Sequence, residues 1–202
     1  MATGLTFSAR ELRDLLVAWL ALGLAFALFF DPAAVLGVRT GGSAAVADAA
    51  VAVVASLGTV GVAFVVHELA HKVVAVRFGQ VAAFRADYGM LALAVVGGLA
   101  GFVFAAPGAV VHRGRLTDRQ AGLVALAGPA VNLALVAVFA PLALVAPAVG
   151  VRGVQVTLLL AAFNMAPVGP LDGRTVLDWS LAVHLPVTAV AGAGAVAAFL
   201  LA

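Results

Sequence analysis

Val60-Gly61-Val62-Ala63-Phe64-Val65-Val66-His67-Glu68-Leu69-Ala70-His71 runs an apolar stretch straight into three ionisable residues. The apolar part has the composition of half a membrane span. Residues four apart on a helix lie on nearly the same face, one turn up. His67 and His71 can therefore grip one metal ion, with Glu68 beside it as a general base; this is the HExxH pattern of zinc sites. Ionisable side chains at membrane depth are costly and by default functional. A polar patch that only holds helices together would be the plain alternative, and three such residues in so apolar a setting make it an expensive one.

Working outward, the whole chain shares this character. Its 202 residues are 65% hydrophobic and 10% charged, with mean hydropathy +1.20. A soluble domain would be about half apolar and about a quarter charged. The expectation is a single integral membrane domain over 1–202, all-α and polytopic. The basic balance, 11 Lys+Arg against 9 Asp+Glu, reads as charge on loops flanking spans, not as a nucleic-acid footprint. The absence of cysteine removes thiolates as ligands. The first apolar run is long enough to span and shows no small-residue cleavage site, so it is not read as a signal peptide.

The spans follow from apolar length. The first runs from about Leu12 to Phe30, ended by Asp31-Pro32 and the turn-rich Arg39-Thr40-Gly41-Gly42-Ser43. The second runs from about Ala44 to Val74 and carries the histidines near its end. Lys72 and Arg77 follow, and Arg10 and Arg13 precede the first span, which puts both ends on the cytoplasmic side. Further spans are expected over about Gln120–Val145 and Val154–Asp178, with a loop at Pro147–Gly153 between them, and a last helix over about Leu185–Leu201. The catalytic core is placed at about 46–179, with peripheral helices at about 12–30 and 185–201.

Between the histidines and the third span, Val81–Asp87 and Pro107–His112 read as short strands flanking Met90–Ala106, which is broken by Gly97-Gly98 and Gly101. If that segment crossed the membrane, the following spans would be inverted and Asp172 would face the side opposite the histidines. About 17 residues cannot cross twice at roughly 1.5 Å per residue. A re-entrant, partly stranded insertion in a bundle of five to six membrane helices is therefore expected.

A catalytic zinc takes three protein ligands and keeps one open position. Asp172 is the candidate third ligand, because a carboxylate deep in an apolar chain needs a cation. Asp87, Asp178 and Glu11 stand in charged or loop-like surroundings. An aspartate before Gly173 also suits a turn or helix cap.

The motifs come in a particular order: HExxH, then Gly128-Pro129-x-x-Asn132, then Asn164-x-x-Pro167-x-x-Pro170-Leu171-Asp172-Gly173 about 100 residues after the histidines. In this order and setting the chain resembles the site-2 protease family of intramembrane zinc metalloproteases, over about Val46 to Trp179. It is similar to a small archaeal or bacterial-type member with neither PDZ nor CBS domain. The resemblance implies one Zn²⁺ held by His67, His71 and Asp172, with Glu68 as catalytic base and Asn164 near the metal holding the substrate carbonyl or oxyanion. Asn164 equally suits a hydrogen bond between helices or to backbone freed by Pro167.

Asn132 and Gly128-Pro129 are expected to set packing or brace Asn164. His112 and His184 read as interfacial or surface histidines. The implied activity is cleavage of transmembrane segments of other membrane proteins in the bilayer, with the site nearer the cytoplasm. Two rivals remain: a proteolytically silent zinc-binding membrane adaptor, against which an intact Glu68 argues, and a metal transporter, which would need polar sites across the whole membrane. The sequence leaves substrate identity and oligomeric state open.

Overall fold

The structure, a computed structural model, describes residues 4–37, 42–102 and 107–201. The expected turn at Arg39-Thr40-Gly41 and the end of the interrupted segment, 103–106, lie outside the described residues. Among the described residues, five helices are long and apolar enough to cross a membrane: Ala9–Phe30, Ser43–Arg77, Asp118–Leu142, Pro147–Asn164 and Leu181–Leu200. This fits a multi-pass membrane protein. In chain order the elements are α1 (Ala9–Phe30), α2 (Pro32–Gly37), α3 (Ser43–Ser56), a π-helical turn (Leu57–Gly61), α4 (Val62–Arg77), β1 (Val81–Ala86), α5 (Tyr88–Leu99), β2 (Gly108–Arg113), α6 (Asp118–Leu142), α7 (Pro147–Asn164), α8 (Asp172–Trp179) and α9 (Leu181–Leu200).

The chain divides into two compact units. One comprises Met1–Phe7, Ala63–Ala83 and Val110–Ala202; the other comprises Ser8–Val62 and Phe84–Ala109. In the second unit α1 packs on α5 so closely that a Cβ at Gly98 would fall on the Ala25 carbonyl. The Trp19 indole N–H donates to the Leu57 carbonyl at 3.0 Å, and Gly61 leaves room for its ring. A π-turn disturbs the helical ladder and leaves backbone groups in need of partners; the indole is one.

Two buried acids on α1 face strand backbone in the same unit. Glu11 Oε1 accepts from the Phe84 N–H at 3.0 Å. Asp14 accepts from the Tyr88 hydroxyl at 2.7 Å, with the Ala86 backbone beside it. Alternate residues of a strand point their N–H groups to the same edge, so these two carboxylates face one edge of β1.

The stranded part of the insertion amounts to β1 and β2 paired as one small sheet. α5 has 12 residues. At about 1.5 Å each it is roughly 18 Å long, short of a hydrocarbon core of about 30 Å.

The other unit holds α4 and α6 to α9. Thr117 and Gln120 form a reciprocal cap that starts α6 shortly after the basic stretch Arg113-Gly114-Arg115. Two expectations change here. The stretch Pro147–Gly153, read as a loop, forms the first turns of α7, because a proline at the helix start has no N–H to lose. The expected single span over Val154–Asp178 is two helices: α7 stops at Asn164, and Pro167 and Pro170, lacking N–H donors, keep the intervening turn out of the ladder before α8 begins at Asp172. Trp179 of α8 lies over Gly122 of α6, beside a buried cluster of Ala125, Met165 and Val176.

Lys72, read as a basic flank facing the cytoplasm, is buried at 1% exposure. Its Nζ donates to the Thr6 carbonyl at 2.5 Å and sits 3.7 Å over the Phe7 ring. Arg77 remains exposed as the flanking charge at that end of α4.

Candidate metal centre

Helical spacing on α4 turns His67 and His71 to one side, with their Nε2 atoms 2.9 Å apart. Asp172, the first residue of α8, brings Oδ2 to 3.3 Å from each of them. The three donor atoms lie within 4.8 Å of one another, a group that could hold a metal ion. Both imidazoles are buried, and the Asp172 side chain keeps 18% exposure. A carboxylate at a helix start is also favoured by the helix dipole.

α6 forms the wall behind the histidines. Val124, Gly128 and Asn132 succeed one another at intervals of four and therefore share a face. The Val124 carbonyl lies 2.7 Å from His71 Nδ1. A carbonyl only accepts, so Nδ1 carries the ring proton and Nε2 turns its lone pair toward the other donors. A Cβ at Gly128 would stand 2.5 Å from His67 Nε2 and closer still to His71 Nε2. The glycine thus leaves the space in front of both donor nitrogens empty. Asn132, fully buried, places its amide 3.1 Å from His67 Nδ1.

Asp172 is positioned by its surroundings. A Cβ at Gly173 would collide with the Met165 carbonyl, so glycine lets α8 begin directly against the end of α7. The same carbonyl accepts from His184 Nε2 at 3.0 Å. His184, expected at a surface, is 95% buried, since its exposure is 5%. The reason is that α9 starts at Leu181, four residues before the expected start, which carries His184 into the packed part of the helix.

Glu68 is buried beside the group, with the Val110 backbone of β2 as its neighbour. Asn164 is half-buried and donates to the Leu160 carbonyl of its own helix at 3.0 Å. The alternative acids are engaged elsewhere: Asp87 caps α5, and Asp178 pairs with Arg174. His112 is exposed on β2.

No protein-family description matches the chain, and no solved structure matches it. The chain is 37% identical over 182 residues, 86% of its own length and 86% of the relative's, to the protein of Methanocaldococcus jannaschii named "Putative zinc metalloprotease MJ0611". The chain belongs to this zinc metalloprotease family. The relative's name specifies zinc, and the residues of the group here fit that ion. Two imidazole nitrogens and one carboxylate oxygen are a donor set of catalytic zinc, which leaves a fourth position open. Tetrahedral ligands at about 2.0–2.1 Å from zinc stand roughly 3.3–3.4 Å from one another. The two separations to Asp172, 3.3 Å each, match, and the two Nε2 atoms, 2.9 Å apart, would have to part by about 0.4 Å to take the ion. The gap kept by Gly128 lies where an ion needs room.

Of the residues that build this centre, the sequence reading missed His184 and the direct contact of Asn132 with His67. The second was detectable. Gly128 and Asn132 have the same four-residue spacing as the histidines and so had to share a helix face.

Proposed function

We propose that this member of the zinc metalloprotease family is a site-2-type intramembrane endopeptidase that cuts transmembrane segments of other membrane proteins. The observation that carries the reading is the convergence of His67, His71 and Asp172, with buried Glu68 beside them, in a chain with five span-length helices. In this reading the three residues hold one zinc ion. Bound there, zinc supplies Lewis acidity that makes water deprotonable near neutral pH and polarises a carbonyl. Glu68 takes the proton from the attacking water and hands it to the leaving amine. Asn164, at the end of α7, donates to the oxyanion once it releases the Leu160 carbonyl.

A substrate helix hides its peptide bonds in its own ladder and must unwind to react. An unwound segment could pair as an added strand along β2. Two observations favour that edge. Glu11 already occupies the Phe84 N–H of β1, with Asp14 beside Ala86, and the backbone of Val110 on β2 lies beside the base. The site is placed nearer the cytoplasm, on the strength of Arg77 and the exposed arginines Arg10 and Arg13.

The test is cleavage of a single-span substrate by the purified chain in detergent, with bound zinc measured alongside. Native protein should cleave. Glu68→Gln should keep zinc and lose activity by about 10²-fold or more. Asp172→Ala should lose both. A native chain that binds zinc tightly and cuts no membrane substrate sinks the protease reading and leaves the adaptor. An Asp172→Ala variant with full zinc and full activity removes the third ligand.

A further inference from the structure

A histidine that binds metal through Nε2 must carry its proton on Nδ1, so something has to accept that proton. For His71 the acceptor is the Val124 carbonyl, at 2.7 Å. For His67 the carboxamide of Asn132, which can either donate or accept, faces Nδ1, with the Gly128 backbone carbonyl also beside the ring. Asn132 is fully buried on α6, and its backbone carbonyl accepts from the Thr157 hydroxyl at 3.0 Å, which ties this point of α6 to α7. Its Nδ2 stands 3.1 Å from His67 Nδ1, and its Oδ1 is buried without a hydrogen-bond partner.

With Nδ2 toward the ring, Nδ1 accepts, the ring proton sits on Nε2, and that nitrogen has no lone pair for a metal. A half-turn of the carboxamide exchanges its two ends within nearly the same volume. Oδ1 then accepts the Nδ1 proton, and the Nε2 lone pair faces His71 Nε2 and Asp172 Oδ2. This is the orientation compatible with ligation.

We propose that Asn132 is a positioning residue that makes His67 a zinc ligand by accepting its Nδ1 proton, and so sets the metal affinity of the site from outside the donor group. This rests on the reading of His67, His71 and Asp172 as the zinc ligands. A neutral acceptor suits the place, since Glu68 and Asp172 already bring two carboxylates to a buried site. The alternative role for Asn132, filling space between α6 and α7, makes an opposite prediction. For packing, leucine of similar size is the tolerable replacement and a buried carboxylate the harmful one. For proton acceptance, aspartate keeps the function, being able only to accept, and leucine loses it.

Zinc affinity of the purified full chain, measured by competition with a chromophoric chelator, separates the two. Asn132→Leu should bind zinc about 10–100-fold more weakly than native. Asn132→Asp should bind at least as tightly as native and give the native electronic spectrum when loaded with Co²⁺. If Asn132→Leu does not fold, the aspartate variant decides alone: native affinity and spectrum support the inference, and a loss of tenfold or more overturns it. Native affinity in Asn132→Leu also overturns it, while leaving the zinc site intact. A native chain that takes up no zinc brings down the metal-site reading and this inference together.

Discussion

Gly128→Ala separates the needs of the helix from the needs of the metal. Inside a helix, alanine is favoured over glycine by about 1 kcal/mol, so the scaffold alone would tolerate or welcome the change. The site would not. The added methyl would stand 2.5 Å from His67 Nε2 and closer to His71 Nε2, where unstrained non-bonded atoms keep about 3.5–4.0 Å. Something must move by about 1 Å, and both neighbours are donors. Overpacking of this kind costs about 1–3 kcal/mol. Charged to the metal-bound geometry, that is about a 5- to 150-fold loss of zinc affinity. Chelator competition on the purified chain reads the affinity, and thermal unfolding in excess chelator reads the scaffold. The expected result is a zinc-free midpoint equal to or above native, together with weakened zinc binding and lost cleavage. Native zinc affinity with full cleavage would refute the placement of Gly128 over the donor nitrogens.

Gly173→Ala should also weaken zinc, because its methyl pushes α8 off the Met165 carbonyl and carries Asp172 with it; unchanged affinity would contradict that contact. His184→Phe leaves the Met165 carbonyl without its donor, at about 1–3 kcal/mol, and His184→Gln should recover part of the lost thermal stability. Val110→Pro removes the β2 N–H beside Glu68 and blocks pairing on β2; cleavage should fall with zinc content unchanged, and retained cleavage would count against the edge. Zinc at 100 times its dissociation constant should stabilise the native chain by about 2.7 kcal/mol, seen as a raised unfolding midpoint that Asp172→Ala does not show.

Much of this arrangement is written in local sequence, and the rest is not, for identifiable reasons. HExxH needs only helical spacing to bring His67 and His71 together, so its geometry is legible without a fold. Membrane spans depend on apolar length, and five of them can be read directly. The break between α7 and α8 was harder to see. Pro167 and Pro170 signal a disturbance, but whether a helix bends or stops depends on what its neighbours accept, here the α8 start pressed against Met165. Pro147 misled because proline reads as a loop residue and as a helix start alike. His184 and Lys72 misled because an isolated ionisable residue near a loop defaults to the surface. Their partners, the Met165 and Thr6 carbonyls, are 19 and 66 residues away, and no local pattern announces a backbone acceptor at that range.

The partners of the buried ionisable residues separate the metal centre from mere glue. Among the described residues these are Glu11, Asp14, His67, Glu68, His71, Lys72 and His184. Four of them have an ordinary partner of opposite character. Glu11 accepts from a strand N–H, Asp14 accepts from the Tyr88 hydroxyl, and Lys72 and His184 donate to carbonyls. Burial with such a partner is what structural polar residues do. His67 and His71 behave differently. Each turns its Nδ1 to α6 and leaves Nε2 facing the other histidine and Asp172. With both ring protons on Nδ1, the two nitrogens and the oxygen all present lone pairs and repel unless a proton or a cation stands between them. Three such donors converging beside a gap kept by glycine suit a cation. Glu68 belongs with them by place: buried beside the converging donors, it stands where a base can meet a water without itself ligating the ion.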